Sequence, residues 1–439
     1  MSVKFSLNRN LISLGYMNQQ TVLNNVLNNY AKAVAVGAYD SKLAGRGSKC
    51  DNVRQYWEDR YTRYVLSPPI RRLLQRKRAD NHGIRIMDLG CGAGEGWNIL
   101  TTLPQTSPTL DSQFNSLVNE LDIEFYKGVD ISPAMIEKAE SIHAHHEQTK
   151  FMVADLSEGL PFDSGEAPYD VYFSSYGALS HLSDDSLSKL VGEICHNMGD
   201  RAIFVADLLG RYSYEWPCYW GEAQGNSHMQ AYSMSYLYPP DRRNTADVER
   251  FPMRYWGGEE IDRFFRTIAE NFNVKVGDFQ LCDRSILVGR HTDTREFNPE
   301  VSPLRSAINS LHAIDNRTDL TQLIFNYQPH PNHPHINRFF QNLQSAWNAL
   351  VYGCIESLNM WRNPEKLLSE PAIEQTPIVL DSIRILRRLI NQAPNLHFDD
   401  PRANLIEPQL AYLLRNLEWN LQQGLGASHG LLAIYEFRR

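Results

Sequence analysis

The chain has 439 residues, 42% of them hydrophobic, which is enough for an enzyme with a sizeable core and more than one folded module. Its formal charge of −8 disfavours a nucleic-acid enzyme, because affinity for nucleic acid depends on neutralising phosphates. No apolar run approaches the ~20 residues of a membrane helix, and the N-terminus lacks the apolar stretch and cleavage site of a secretory signal. We therefore expect a soluble, cytoplasmic protein.

The first 80 residues are predicted to be helical, with candidate helices at residues 18–36 and 52–75. Residues 71–78 include five positive side chains and precede the first predicted strand. We interpret this run as the solvated end of an amphipathic helix, where the helix dipole favours cations, rather than as an RNA-binding patch.

A short apolar strand at residues 84–89 runs directly into a loop with glycines at positions 90, 92, 94 and 96. Glycine turns easily at positive φ, and its lack of a Cβ lets the backbone approach a small ligand closely. The helix expected near residues 95–100 points its positive end at the same place. The loop therefore favours an anionic or zwitterionic nucleotide-like ligand.

The glycine spacing argues against a nicotinamide dinucleotide. The dinucleotide fingerprint reads G-x-G-x-x-G, but the sixth position is Glu95 when counted from Gly90 and Trp97 when counted from Gly92. A nicotinamide-dependent oxidoreductase is therefore the least favoured of the functions considered.

The second predicted strand ends at Asp130, and Ser132 and Pro133 after it suit the N-cap and first residue of a helix. Asp130 lies further from Asp88 than the roughly 20 residues expected in a dinucleotide-binding unit. The excess falls within residues 101–121, where clustered Pro, Ser, Thr and Asp predict a loop insertion.

Polar residues also stand at the ends of the next two strands. The third strand, residues 151–154, ends at Asp155 with Leu156 beside it, and the fourth strand, residues 169–174, ends at Ser174. Any one such acid could equally be a helix cap or a turn residue. Their joint placement at successive strand ends favours a cofactor site.

The segment Asp88-Leu-Gly-Cys-Gly-Ala-Gly94 closely resembles the D-x-G-x-G-x-G loop of class I S-adenosylmethionine-dependent methyltransferases. The strands that follow are similar to those of the same family over about residues 84–291. The resemblance implies an α/β, Rossmann-like fold, a seven-stranded methyltransferase sheet with helices on both faces. It also implies S-adenosyl-L-methionine as the cofactor and S-adenosyl-L-homocysteine as its product, with no metal.

In that family the acid at the end of the second strand binds both ribose hydroxyls, so the resemblance gives this role to Asp130, with Glu124 and Asp122 as weaker rivals. Asp155 matches the acid that accepts the adenine amino group. Asp88 carries less weight, because its carboxylate could instead brace the loop through backbone N–H groups. The predicted cofactor-binding residues are Asp88, Gly90, Cys91, Gly92, Gly94, Asp130, Ile131, Asp155, Leu156 and Ser174.

In many small-molecule methyltransferases an N-terminal helical segment covers the cofactor, and we interpret residues 1–80 as such a lid. Tyr56, Trp57, Arg60 and Tyr61 include the residue types a lid needs. An arginine can bind the methionine carboxylate, and an aromatic face can contact the sulfonium. Packing of these rings on the core is an equally good interpretation.

The cysteines and histidines give no clear metal site. The six cysteines are scattered without a C-x-x-C pair and are interpreted as reduced thiols. The histidines form two groups in the sequence. Ligands from the first group would come from adjacent turns of one predicted helix and would crowd a tetrahedral site. The second group lies in a Pro-rich loop without an acid or Cys. We interpret both groups as solvated; they are His143, His145 and His146, and His330, His333 and His335.

His181, just after the fourth strand, is the candidate catalytic base, since imidazole can remove a proton near neutral pH. Its alternative role is to cap or pack beside the helix that begins near Ser183. Methyl transfer from a sulfonium is an in-line displacement, in which alignment and exclusion of water contribute much. A base matters mainly if the acceptor arrives protonated.

A fifth strand is predicted at residues 201–207, and the aromatic-rich residues 208–256 leave the carboxyl end of the sheet, where open α/β folds bind ligands. We interpret them as a substrate cap. Their rings and acids suit a flat or cationic small molecule. The predicted substrate-binding residues are Tyr176, Asp207, Tyr214, Trp216, Arg254 and Tyr255.

Strands at residues 272–279 and 285–288 would complete the seven-stranded sheet. Beyond residue 299 the pattern becomes helical, with segments at residues 336–360, 377–392 and 407–423, and residues 430–439 form a last strand that we expect to pack back on the catalytic unit. The predicted domains are a helical lid at residues 1–80, a methyltransferase domain at 81–291 with the cap insertion at 208–256, and a mainly helical C-terminal module at 299–439.

The predicted function is S-adenosylmethionine-dependent methyl transfer to an N or O atom of a small molecule, a specialised metabolite or an amine. Residues 174–177 read Ser-Ser-Tyr-Gly instead of an Asn-Pro-Pro-Tyr-type tetrapeptide, which counts against methylation of DNA adenine or glutamine amides. The alternatives are a protein or RNA methyltransferase and a non-catalytic scaffold whose C-terminal helices bind a partner. That module could also form a homodimer.

Overall fold

The computed structural model describes residues 31, 34, 35, 51–105, 116–221, 229–243, 248–362 and 376–439. The helix predicted at residues 18–36 lies almost entirely outside them. Among the described residues, no helix combines the length and apolar character needed to cross a membrane.

The described strands are β1 (Ile84–Leu89), β2 (Ile123–Asp130), β3 (Thr149–Val153), β4 (Val171–Ser174), β5 (Arg201–Gly210), β6 (Met229–Ser233), β7 (Arg250–Trp256), β8 (Lys275–Arg284) and β9 (Gly430–Arg438). The described α-helices are α1 (Asp59–Ala79), α2 (Glu95–Thr101), α3 (Pro133–His143), α4 (Asp184–Asn197), α5 (Gly258–Asn271), α6 (Leu304–Leu311), α7 (Pro334–Arg362), α8 (Pro377–Gln392) and α9 (Glu407–Leu421). A π-helical turn, Arg54–Glu58, leads into α1.

Helix starts follow the local sequence. The hydroxyl of Ser183 accepts the N–H of Ser186 at 3.2 Å and caps α4. Pro133 occupies the first position of α3, and Ser132 precedes it, although its hydroxyl makes no cap hydrogen bond. Pro377 likewise begins α8, which ends at Gln392 as predicted.

The main sheet is doubly wound. β1 pairs in parallel with β2 and β4, β2 with β3, and β4 with β5, which gives the spatial order β3-β2-β1-β4-β5. The winding reverses between β1 and β4, and open sheets bind ligands beside the carboxyl ends of the strands at such a point. The predicted Rossmann-like α/β fold is confirmed.

The last strand of the chain completes this sheet. β9 lies between β5 and β8 and is antiparallel to both, so the end of the chain packs back on the main sheet as expected. The prediction of a seventh strand at residues 285–288 is wrong. The backbone N–H groups of Ile286 and Leu287 donate instead to the buried carboxylate of Glu418, at 3.2 and 2.8 Å.

The long helices are therefore inserted between the sixth and seventh strands of the main sheet. We call residues 304–421 the helical region. Arg284 at the end of β8 pairs with Gly430 at the start of β9, so the chain leaves the sheet and returns to it at the same point. The helical region is an excursion from the carboxyl edge of the sheet.

β6 and β7 form an antiparallel hairpin beside the end of β5. β7 joins β5 through two register pairs, Leu209 with Tyr255 and Gly210 with Trp256. The hairpin belongs to the aromatic-rich residues 208–256, whose positions 222–228 and 244–247 lie outside the described residues.

Apolar cores lie on both faces of the main sheet, with α1, α2 and α3 on one face and α4 and α5 on the other. A third core joins the helical region to the rest of the protein. We call residues 51–58, before α1, the N-terminal segment. The third core contains Val53 and Trp57 from this segment and Tyr214 and Trp220 from the cap. The helices thus pack against both the N-terminal segment and the cap.

Candidate functional site

The loop after β1 needs glycine for its conformation and for its packing. Gly90, Gly92 and Gly94 have φ angles of 73°, 55° and 87°, a region that other residues enter only with strain. A Cβ on Gly90 would lie 2.5 Å from the Cβ of Ala178, so the loop touches the turn after β4. Gly90 and Gly92 are half-buried, whereas Gly94 is buried against the ring of His143.

Asp130, at the end of β2, holds this loop in place. Its Oδ2 accepts the N–H of Gly92 at 2.9 Å, and its Oδ1 accepts the N–H of Ser132 at 2.9 Å. The N–H groups of Gly90 and Cys91 donate to the carbonyl of Val129, also on β2. A carboxylate oxygen can accept more than one hydrogen bond, so bracing the loop leaves Asp130 able to accept hydroxyls.

Asp88 lies beneath the loop with no exposed surface. The hydroxyl of Tyr126 donates to its Oδ2, while its Oδ1 has no hydrogen-bond partner among the described residues. Burial raises the pKa of Asp88 to about 7. The bracing role that the sequence offered to Asp88 is performed by Asp130.

The other predicted cofactor residues lie at the same edge of the sheet. Asp155 follows β3, and its Oδ1 accepts the N–H of Ser157 at 2.8 Å, so it also caps a short turn. Leu156 and Ile131 are half-buried. Ser174 ends β4, and its buried hydroxyl has no partner within the described ranges. The structure thus brings these strand ends side by side.

From the N-terminal segment, Arg54 reaches this edge, whereas Arg60 is exposed. Nη2 of Arg54 lies 3.7 Å from Oε1 of Glu95, the first residue of α2. The guanidinium also lies over the ring of Tyr176, 4.0 Å from its centroid, and the Tyr176 hydroxyl donates to Asp59 at 2.6 Å. Sequence reasoning missed Arg54 and Glu95.

The aromatic residues expected in a lid pack on cores instead. Trp57 lies 6.3 Å from the ring of Trp347 in α7, and Tyr61 stacks on Trp419 of α9 at 5.0 Å. Tyr56 is half-buried at the border of the same helices. For these three rings, the core-packing interpretation describes what is observed.

His143 is buried beneath the glycine loop, so the prediction that it is solvated is wrong. Its ring stacks on Phe151 at 5.5 Å and lies where a Cβ on Gly94 would be. Burial lowers its pKa. Within the described residues, no group of three or more His, Cys, Asp or Glu side chains is placed to hold a metal ion.

Asp207 joins several elements at the carboxyl edge. Its Oδ2 accepts both a guanidinium N–H of Arg284 and the backbone N–H of Tyr176, the latter at 2.7 Å. Arg284 also donates to Thr62 of α1 at 3.1 Å. Burial raises the pKa of Asp207, and the charge of Arg284 opposes that shift. The pair links β5, β8, α1 and the turn after β4.

The alternation of β7 places Arg254 and Tyr255 on opposite faces. Tyr255 packs edge-on against Trp216, 5.0 Å between ring centroids. Arg254 points the other way and donates to Asp184 at 2.7 Å and Glu260 at 2.6 Å. Arg254 therefore links α4, α5 and β7.

Tyr214 also points away from the strand ends. Its hydroxyl donates to the carbonyl of Leu287 at 2.6 Å, and its ring packs on Phe325 and Phe340. The predicted substrate residues are therefore divided: Tyr176, Asp207, Trp216 and Tyr255 lie toward the carboxyl edge and its cap, whereas Tyr214 and Arg254 pack elsewhere.

His181 ends the short turn Ala178–His181 after β4. Its ring lies edge-on to Phe251 of β7, with 5.5 Å between centroids. Burial lowers the pKa of His181 to about 4, so the imidazole is neutral at pH 7. A base of this pKa is a weak proton acceptor near neutral pH.

A buried cluster not found from the sequence lies beneath the cap. Oε2 of Glu215 lies 2.8 Å from Nδ1 of His429, and the backbone N–H of His291 donates to Oε1. The hydroxyl of Tyr232 lies 3.4 Å from Nε2 of His429. These residues come from the cap, the turn after β8 and the turn before β9, so no local sequence pattern joins them.

Residues 115–199 match the family model of a methyltransferase domain. This range begins after the glycine loop and contains Asp130, Asp155, Ser174 and His181. No curated protein matches the chain significantly.

Three solved structures show the level of structural likeness. The chain is 13% identical to magnesium protoporphyrin IX methyltransferase (ChlM) from Synechocystis PCC 6803 with bound SAH, covering 59% of this chain and 92% of that one, with a TM-score of 0.34. A DhpI–SAH complex is 13% identical over 60% of this chain and 93% of that one, with a TM-score of 0.32. The CcbJ methyltransferase from Streptomyces caelestis is 14% identical over 45% of this chain and 74% of that one, with a TM-score of 0.30. The matched family model, together with the glycine loop, the strand-end acids and the doubly wound sheet, supports a class I S-adenosylmethionine-dependent methyltransferase domain in this part of the chain.

Proposed function

We propose that this protein transfers a methyl group from S-adenosyl-L-methionine to an N or O atom of a small-molecule acceptor. The observation that carries the proposal is the carboxyl edge of β1, β2, β3 and β4, where a bare glycine loop meets Asp130, Asp155 and Ser174. Glycine conformation, carboxylates at adjacent strand ends and a buried hydroxyl without a partner within the described residues together fit a polar nucleoside.

Each residue of this edge would contact a different part of the cofactor. Asp130 would accept the ribose hydroxyls while it keeps the N–H of Gly92, and Asp155 would accept the adenine amino group. Arg54 and Glu95 would hold the carboxylate and ammonium of the methionine part, since an arginine binds carboxylates through paired N–H groups. When bound, the cofactor supplies a methyl group already activated by the sulfonium charge.

Buried ion pairs support a lid role for the N-terminal segment. Arg305 of α6 donates two hydrogen bonds to Asp51, at 2.7 and 2.8 Å, and one to Glu58 at 2.9 Å. Arg290 donates to Glu58 at 3.1 Å. These contacts join the segment to α6 and to Arg290, and removing one partner would leave a buried charge without compensation. We infer that the helical region holds Arg54 over the cofactor edge.

The buried cap supports a small acceptor. Trp216, Tyr232 and Tyr255 are each less than a tenth exposed, which suits a molecule that enters among rings better than a polymer lying across the surface. Protein or RNA methylation and a non-catalytic scaffold are the competing functions. The cytoplasmic location and a homodimer through the C-terminal module stay predictions.

Calorimetric titration of the purified protein with S-adenosylmethionine, S-adenosylhomocysteine and NADH tests the proposal. We expect saturable binding of the first two and none of NADH. Asp130→Ala should weaken binding by roughly 1–3 kcal/mol, because ribose hydroxyls lose their acceptor. Glu124→Ala is the matched control, since Glu124 is an exposed carboxylate on the same strand and is its sequence rival.

The outcomes separate the alternatives. Absence of binding to both S-adenosyl compounds would contradict the proposed function. A loss confined to Glu124→Ala would contradict the ribose role of Asp130, because Glu124 lies at the opposite end of β2. Transfer of tritium from methyl-labelled cofactor to a metabolite extract supports a small acceptor. Transfer only to purified protein or tRNA supports a macromolecular one, and binding without transfer to any of them supports the scaffold.

A further inference from the structure

The carboxylate of Glu215 lies against the imidazole of His429, an arrangement in which the imidazole can accept a proton. The Glu215 carboxylate is 1% exposed and lies 2.8 Å from Nδ1 of His429. The backbone N–H of Arg290 also lies 3.4 Å from Nδ1, so two groups compete for this nitrogen. The shorter contact with the carboxylate favours the tautomer with the proton on Nδ1, which leaves the lone pair on Nε2. Any side chain at Gly289 would occupy the space of the Glu215 carboxylate, so glycine there permits the pairing.

His429 lies at the ligand-binding edge of the sheet. Because β9 is antiparallel to β5, the residue before β9 stands at the carboxyl end of β5. Its backbone fixes it there: its N–H donates to the carbonyl of Ser285 at 3.3 Å, and its carbonyl accepts the N–H of Gly210 at 3.4 Å. Leu209 of β5 pairs with Gly430, the residue next to His429.

An aromatic cluster surrounds this pair. His291 lies edge-on to Tyr232, Tyr236 and Phe297, with centroids 5.0, 5.5 and 5.0 Å away, and Trp216 lies 5.3 Å from His429. His291 is 2% exposed, yet neither of its ring nitrogens has a hydrogen-bond partner among the described residues. A buried donor and acceptor without partners in a ring-lined place point to a planar ligand with a polar group.

Tyr232 marks the position of that polar group. Its hydroxyl lies 3.4 Å from Nε2 of His429, which is long for a hydrogen bond between a hydroxyl and a nitrogen. Tyr232 belongs to β6, the outer strand of a hairpin that joins the main sheet through only two register pairs. The place of the Tyr232 hydroxyl beside Nε2 is therefore where a hydroxyl of a ligand would have to stand.

We propose that His429, held by Glu215, takes the proton from the acceptor, and that the acceptor is a planar aromatic compound carrying a hydroxyl group. This inference rests on the proposed function and narrows its acceptor. The acceptor O–H bond breaks as a bond forms between its proton and Nε2 of His429. The acceptor oxygen then bonds to the methyl carbon as the carbon–sulfur bond breaks with its electron pair going to sulfur. The imidazolium afterwards releases its proton to water.

The acceptor hydroxyl explains why a base is present at all. A neutral amine could attack the methyl group without help, whereas an aromatic hydroxyl becomes a good nucleophile when it loses its proton. His181 is a second candidate imidazole, and its ring lies edge-on to Phe251 of β7. The two histidines can be tested separately.

The first experiment follows the ionisation of 7-hydroxycoumarin, whose phenolate absorbs at longer wavelength than its phenol. The probe is titrated with the protein loaded with S-adenosylhomocysteine, at a pH about one unit below the pKa of the free probe. We expect the bound probe to show the phenolate band, with an apparent pKa lowered by at least about one unit. His429→Gln should bind the cofactor product with unchanged affinity and leave the probe as phenol.

The matched control is His196→Gln, because His196 is an exposed histidine in the last turn of α4. This variant should retain the wild-type phenolate band. The wild-type spectrum tests the proposal without any variant: a probe that stays neutral, or does not bind, overturns it. A phenolate band that disappears in His181→Gln and persists in His429→Gln also overturns it.

The second experiment measures methyl transfer to the same probe from labelled S-adenosylmethionine. His429→Gln should lower kcat about 100-fold or more, and Glu215→Gln about 10-fold, with affinity for S-adenosylhomocysteine unchanged.

The same data separate this inference from the proposed function. If both S-adenosyl compounds bind and amines in a metabolite extract are methylated while the aromatic hydroxyl is not, the inference fails and the proposed function stands. If neither compound binds, both fail. If kcat is equal in His429→Gln and in wild type, the role of His429 is refuted, and the proposed function is unaffected.

Discussion

Replacing Asp88 by Asn should remove a loss of folding stability that wild type suffers as pH rises. Burial raises the pKa of this carboxyl from its ordinary value of 3.8 to about 7. In the folded protein Asp88 therefore keeps its proton over a range where the unfolded chain has lost it. Because the folded state binds the extra proton, stability is lost as pH rises from about 4 to about 7.

The size of the effect follows from the shift. About three pKa units at 1.36 kcal/mol each give ~4 kcal/mol of lost stability above pH 7, when Asp88 is ionised. Roughly 2 kcal/mol of this is lost between pH 5 and pH 7, and little more above pH 8. Asn has the same shape, can accept the Tyr126 hydroxyl and does not ionise, so the variant should not show this loss.

The measurement is urea unfolding of wild type and Asp88→Asn at several pH values between 5 and 8.5. Other titrating groups cancel in the difference between the two proteins. The variant should gain roughly 2 kcal/mol relative to wild type between pH 5 and pH 7, and the difference should then become constant. A difference that does not change with pH would show that Asp88 has an ordinary pKa and would refute the reasoning from burial.

Three further outcomes are expected. Arg54→Gln should raise the Kd of S-adenosylhomocysteine about 10- to 100-fold by calorimetry and leave that of 5′-methylthioadenosine, which lacks the carboxylate, unchanged; equal losses would contradict a carboxylate contact. Gly90→Ala should destabilise the protein by about 2 kcal/mol in urea unfolding, since its φ is 73° and Ala178 is in contact, and adding Ala178→Gly should recover only the steric part. Leu432→Asp should abolish cooperative thermal unfolding because it buries a charge in β9, whereas Arg438→Asp at the half-buried end should not, and comparable losses would refute the central position of β9.

The sequence predicted which residues lie at the carboxyl edge of β1 to β4 because its signals there are local. The glycines from Gly90 to Gly94 and the acids Asp130 and Asp155 each follow an apolar strand directly, and parallel strands bring their ends together. Helix α8 was predictable for the same reason, since a proline begins it and its apolar period is regular. These features need no knowledge of distant parts of the chain.

Pairings between distant residues could not be predicted in this way. Residues 285–288 have the apolar composition of a strand, yet Glu418 takes two of their backbone N–H groups from another part of the chain. Once β9 is known to fill the seventh position, His429 before it must lie at the ligand-binding edge. The pairing with Glu215 depends on that topology and was hidden from any local pattern.

The position of β9 also governs how the protein can be made. On the ribosome, β5 and β8 are synthesised long before the strand that must lie between them, because residues 285–429 intervene. Until β9 arrives, each presents a row of free backbone N–H and C=O groups, the kind of edge that pairs with other chains. Sheet closure through such distant contacts is slow and favours aggregation of incomplete chains. Chaperone demand during synthesis should therefore depend on how fast the helical region folds and returns the chain to the sheet.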